Sequence, residues 1–146
     1  ATLDYAIASI HTGMEQDADR ITHRIIAAME NPYIHAIAHP TGRVLGRRDA
    51  YLLDFERVLK TAQATRTALE INAHAERLDL NDVHARAALD AGVKLVLGTD
   101  AHDQESLRMM RLGVATARRG WVRPGDLLNT LTAAELLAWT RAKRAK

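Results

Sequence analysis

Four side chains able to bind a metal stand just beyond apolar runs: His11, His39, Asp100 and His102. Imidazole and carboxylate without thiolate is a ligand set for zinc, manganese or iron, and the chain contains no cysteine. A carboxylate can also bridge two metals, which together activate water and neutralise charge in phosphoryl hydrolysis. Taken singly, a strand-end histidine is more often a hydrogen-bonded structural residue, and Asp100 could be a turn residue. Taken together, three runs each ending in histidine, one of them in Asp-x-His, point to a metal site. Asp100 and His102 are two apart, so on extended chain both side chains aim the same way. Directly after His39-Pro40 comes a loop with Arg43, Arg47 and Arg48. Guanidinium groups there can clamp phosphate oxygens bidentately, although a solvated charged loop is the plainer alternative. Arg77 is a weaker candidate of the same kind. Nucleophile elbow, P-loop and G-x-G-x-x-G patterns are absent.

These residues depend on the elements that carry them. Apolar runs at residues 3–10, 34–38, 67–71 and 93–97 read as strands. Ile21, Ile25, Ala28 and Met29 share one face of a helix within 15–30. Phe55, Val58, Leu59 and Ala62 mark a second helix. Asn81 can cap a third, with Val83, Ala87, Ala88 and Ala91 inward. A fourth turns Leu107, Met110, Val114 and Ala117 inward, with Gly120 after its end. Pro124 fits a short helix start, and Thr132 with Glu135 has capping-box spacing for a last helix. Strand and helix thus alternate four times, the pattern of βα units around a parallel sheet. In such architectures the C-terminal strand ends converge on one face, where active sites lie. His11, His39, Glu70 with Asn72, and Asp100 with His102 follow the four runs in turn. His23, His35 and His84 read as structural or surface residues.

Composition sets bounds. The chain has 146 residues, 47% apolar and 26% charged, which is ordinary for one globular domain. The formal charge is +2, and four cations fall in the last six residues. The rest is slightly acidic, so the basic pI is a poor argument for nucleic acid, and the tail reads as a solvated end. The apolar runs are far short of a membrane span. No signal-peptide pattern is seen, so the expected compartment is the cytoplasm. A start at Ala-Thr-Leu, directly before a strand, reads as a piece of a longer protein.

The chain resembles the PHP (polymerase and histidinol phosphatase) family, and more narrowly the C-terminal PHP domain of bacterial family X DNA polymerases. The resemblance covers nearly the whole chain. It rests on Ala8-Ser9-Ile10-His11, Asn31-Pro32-Tyr33, the run His39-Pro40-Thr41-Gly42-Arg43-Val44-Leu45-Gly46-Arg47-Arg48, Leu69-Glu70-Ile71-Asn72, Arg77-Leu78-Asp79-Leu80-Asn81-Asp82 and Gly98-Thr99-Asp100-Ala101-His102. Ala117-Arg118-Arg119-Gly120-Trp121 and Leu127-Leu128-Asn129-Thr130-Leu131 add to it. It implies an α/β fold, the second half of a distorted (βα)7 barrel, with residues 1–146 the C-terminal part of one PHP domain. It also implies a three-metal centre of manganese or zinc at the strand ends. By motif, His11 and His39 match ligands of one metal, Asp100 of a second and His102 of a third. The other family ligands, including an H-x-H segment and a bridging glutamate, are not in this chain, and Glu70 lies one unit too late to be that glutamate. His74 takes no role. The implied activity is phosphoester hydrolysis, here of a 3′–5′ exonuclease type on DNA during repair. The implied partners are DNA, the N-terminal half of the barrel and a polymerase core of the same chain. A standalone phosphatase acting on a small phosphomonoester such as histidinol phosphate, and a vestigial non-catalytic scaffold, are the alternatives. Half a barrel leaves strand edges uncovered, so the isolated piece is expected to be poorly soluble or incompletely folded.

Overall fold

The computed structural model describes residues 3–145. Four parallel strands, β1 (Ile7–Ala8), β2 (Ala36–Ile37), β3 (Ala68–Asn72) and β4 (Leu95–Gly98), pair in chain order. Between and after them run α1 (Ala18–Glu30), α2 (Phe55–Thr65), α3 (Asp82–Asp90), α4 (Met110–Arg119) and α5 (Ala133–Arg144). The parallel βα arrangement expected from the alternation is what forms, consistent with the half-barrel that the resemblance implies. The strands are shorter than the apolar runs. β1 takes two residues of its run, because only Ile7 and Ala8 are in register with Ala36 and Ile37.

Side-chain oxygens start the helices. Asp17 accepts from the Arg20 amide, Asp54 from Arg57, Asn81 from His84 and Thr132 from Glu135. Each satisfies a donor with no partner inside its helix, worth about 1 kcal/mol. The main core joins Ile21, Ile25 and Met29 of α1 and Val58, Leu59 and Ala62 of α2 to Leu69, Ile71, Leu95 and Leu97 of the sheet. A smaller cluster has Leu128 on Ala36 and Ala68, flanked by Tyr5, Leu131, Leu136 and Trp139.

Two predicted helix faces are corrected. The buried residues of α3 are Ala85 and Ala88, whereas Val83 is 70% exposed. On α4 they are Gly113 and Ala117, with Val114 exposed, and Leu107 lies exposed in a preceding 3-10 turn, Glu105–Met109. Close approach is the reason. A Cβ on Gly113 would stand 2.7 Å from the Ala73 Cβ, so the contact face goes to the smallest side chains rather than the most apolar.

The basic tail is also more engaged than a solvated end. Lys143 is buried and its Nζ donates to Met29 O (2.7 Å), Thr65 O (3.1 Å) and Thr67 Oγ1 (2.5 Å). It thereby ties α5 to the C-terminal ends of α1 and α2, where helix carbonyls attract a cation. Arg144 donates to Leu3 O and Asp4 O and lies over the Tyr33 ring. Lys146 lies outside the described residues.

The free edge of β4 is covered by its own chain. Leu127 bridges Leu95, and the Asn129 amide meets both backbone groups of Leu97: Leu97 N donates to Oδ1 (2.7 Å) and Nδ2 donates to Leu97 O (3.0 Å). Asn129→Ala removes both bonds. We expect a loss of about 1–2 kcal/mol in denaturant unfolding, and an unchanged midpoint would contradict the clamp. Among the described residues, no helix is long and apolar enough to cross a membrane.

Candidate metal centre

The four predicted ligands follow the C-terminal ends of β1, β2 and β4. The His11 and His39 rings stack with centroids 5.4 Å apart. His11 is exposed and its Nε2 is 3.0 Å from Ser9 Oγ, while His39 is buried. Asp100 and His102 follow β4, with His102 Nδ1 2.7 Å from Asp100 O. His39 senses the charges of Arg77, Asp100 and His11 together. Along this rim of strand ends, His11 stacks on His39 and the Asp100 charge reaches the His39 ring.

Backbone conformation at this rim is unusual. His39 (φ 31°) and Asp100 (φ 54°) both occupy the left-handed region, which costs a non-glycine residue of order 1–3 kcal/mol and concentrates at functional sites. Buried carboxylates hold the His39 turn. Glu70, on β3, accepts from His39 N (2.7 Å) and from Asn72 Nδ2 (3.2 Å). Gly98 on β4 leaves the room it needs, since a Cβ there would lie 2.1 Å from Glu70 Oε1. Asp79, fully buried, accepts through Oδ2 from Thr41 N (3.0 Å) and Gly42 N (2.9 Å).

The electrostatics follow from burial. His39 is pushed down to about 4, by desolvation first and by the Arg77 charge second, against the pull of Asp100. Its imidazole is neutral at pH 7, the form that ligates metals. Burial raises Glu70 despite the His39 and Asn72 hydrogen bonds. Burial raises Asp79 to about 6, opposed by its hydrogen bonds and by Arg43.

Arg77 enters the site from the loop after β3. Its Nε is 3.2 Å from Asp100 Oδ2, while its Nη1 is buried without a partner. Val44, His74, Glu76, Arg77, Asp100 and His102 line a cavity of about 210 Å3. The other arginines divide. Arg43 donates from Nε to Arg77 O (2.8 Å) and from Nη2 to Leu78 O. Arg48 donates to Gly42 O and to Met14 Sδ. Arg47 is exposed and pairs with Glu76 at 3.4 Å. Arg43 and Arg48 thus brace the loop, and Arg47 projects from it.

The donors present fit a divalent cation as part of a larger set. His39 Nδ1 is buried and unpartnered beside a second imidazole, which suits a pair of nitrogen ligands. Among the described residues no three His, Asp or Glu side chains form a complete metal cage. Asp79 is the residue that sequence patterning missed. Its signal was an acid between two leucines, a place where a carboxylate is buried only if it has work to do for the backbone. His35 is structural as expected, accepting from Ala6 N and stacking on Tyr5.

The chain is similar to several known proteins. The chain is 41% identical over 141 residues, 97% of its length, to the DNA polymerase/3'-5' exonuclease PolX of Bacillus subtilis, of which it covers 25%. It is 34% identical over 137 residues to a probable phosphatase of Thermoanaerobacter sp. strain X514, covering 88% of the chain and 54% of that protein. It is 36% identical over 108 residues to a probable phosphatase of Shewanella amazonensis, covering 68% of the chain and 41% of that protein. The chain therefore spans from a quarter to about half the length of these relatives. No family model matches it.

Proposed function

The chain belongs to the PHP family, and from that premise we propose that it is the C-terminal part of a metal-dependent phosphodiesterase domain attached to a family X DNA polymerase, removing nucleotides from DNA 3′ ends. The observation that carries this reading is the stacking of His11 on the buried His39, with the charge of Asp100 reaching His39 and His102 two residues on. Resemblance to a polymerase/exonuclease over almost the whole chain supports the choice of DNA.

His11, His39, Asp100 and His102 would hold divalent cations, manganese or zinc. Bound there, the metals supply water activation and neutralisation of phosphoryl charge. The chain's own residues do the rest. Glu70 fixes the His39 backbone, and Asp79 fixes the two residues that follow Pro40. The neutral His39 ring offers a lone pair without first losing a proton. Arg77 orients Asp100. Arg47 is free to move from Glu76 to a DNA phosphate, an exchange that costs little because an exposed ion pair is weak.

The test is hydrolysis of 3′-labelled and 5′-labelled single strands by the full-length protein with manganese. Mononucleotide release from the 3′ end is expected, with little turnover of a small phosphomonoester. The phosphatase relatives favour a second reading, release of inorganic phosphate from a small phosphomonoester such as histidinol phosphate. Turnover of that substrate without DNA degradation would select it.

A further inference from the structure

The motif Ala117-Arg118-Arg119-Gly120-Trp121 has no part in the metal centre, and its geometry is not explained by folding. The end of α4 closes with Trp121 N donating to Arg118 O (3.1 Å) and Val122 N to Ala117 O (3.0 Å). In this double closure the residue in Trp121's place adopts a left-handed conformation and is usually glycine. Here Trp121 holds it, with φ 61°. The glycine lies one position earlier, where a Cβ would come within 2.9 Å of Asp82 O and 3.1 Å of the Ala85 Cβ. Gly120 therefore serves the packing of α4 on α3, and the strained position goes to a large ring that is 73% exposed. The fold gains neither burial nor backbone ease from that choice.

The surroundings suit a planar ligand. The Arg86 guanidinium lies over the Trp121 ring, 5.2 Å from its centroid, and is itself anchored to Asp90 at 2.9 Å. Arg119 is anchored to Asp82 at 2.9 Å. Trp121, Val83, Arg86 and Arg119 are among the walls of an open cleft of about 320 Å3. Arg118 and Arg123 are exposed beside it. An exposed ring beside a guanidinium, with further arginines within the same few residues, is the chemistry that stacks a nucleobase and meets its phosphate.

We infer that the Trp121 cleft is a second contact for single-stranded DNA, holding an unpaired base by stacking. This rests on the nuclease reading above. The test uses the full-length protein carrying Asp100→Asn, to prevent cleavage, and fluorescein-labelled oligo(dT) followed by anisotropy. Trp121→Gly should weaken binding by about fivefold or more, the loss of one stacked base. Trp121→Phe, which keeps a ring, should retain most of the affinity. Because glycine relieves the left-handed backbone, Trp121→Gly should also raise the melting temperature, so weaker binding cannot be put down to unfolding. With Asp100 intact, hydrolysis of bis(p-nitrophenyl) phosphate, too small to span both places, should be unchanged by Trp121→Gly. Unaltered oligo(dT) affinity in Trp121→Gly would overturn the inference. So would a Trp121→Gly protein that changes only its sedimentation, since the cleft would then be a protein contact. Loss of the nuclease reading has a separate signature: full hydrolytic activity in Asp100→Asn.

Discussion

Asp100→Asn in the full-length protein is expected to lower metal-dependent phosphodiester hydrolysis by more than about 100-fold. Loss of a partner that merely orients a ligand typically costs about 10–100-fold, and a direct ligand should exceed that. The substitution keeps the side chain's shape and still offers an oxygen to Arg77 Nε, now at 3.2 Å from Asp100 Oδ2. It removes the charge that a divalent cation needs. Folding should therefore be preserved while activity is lost, and a circular dichroism melt alongside the assay separates the two. His102→Ala should fall in the same range. Undiminished hydrolysis in both would remove Asp100 and His102 from the site.

Asp79→Ala is expected to give the largest loss of stability, about 3 kcal/mol or more by denaturant unfolding. It would leave the buried amides of Thr41 and Gly42 without an acceptor, at about 1–3 kcal/mol each. Asp79→Asn is the informative companion. Both amides reach one oxygen, Oδ2, and an asparagine oxygen in that place can accept both. What the amide removes is titration. Folding raises the Asp79 carboxyl from 3.8 to about 6, so the native state binds this proton more tightly than the unfolded chain. By linkage, Asp79 detracts from stability above pH 6, and that penalty is relieved as pH falls from about 6 towards 4. Relative to Asp79→Asn, the unsubstituted protein should gain stability over that interval. A pH-independent difference would show that Asp79 is not a buried carboxylate of raised pKa.

Much of the framework was legible in the residues because it rests on local rules. Asn81 and Thr132–Glu135 cap helices where capping chemistry puts them, and the strand-end position of each candidate ligand follows from βα alternation alone. The errors have one physical cause. On α3 and α4 the sequence offers valine and leucine beside alanine and glycine, and a reading by hydrophobicity turns the larger residues inward. The sheet instead demands close approach, so Ala85, Ala88 and Gly113 are covered while Val83 and Leu107 face out. At the site, the candidate ligand types were visible and the side chains that brace them were not. Glu70 reaches His39 across 31 positions, Asp79 reaches Gly42 across 37 and Arg77 reaches Asp100 across 23. Pairings at such separations are fixed by the register of β2, β3 and β4, which no local pattern encodes. The arginine loop shows the same limit. Three adjacent guanidinium groups read alike in sequence, yet Arg43 and Arg48 are occupied by carbonyls and Arg47 by an exposed carboxylate.

The most direct test of the central claim is the manganese and zinc content of the full-length protein, measured by mass spectrometry after dialysis, with and without His39→Ala. Bound metal is expected in the unsubstituted protein, with a clear drop in stoichiometry when the buried imidazole is removed from a still-folded chain. Equal metal content in the two proteins would contradict it.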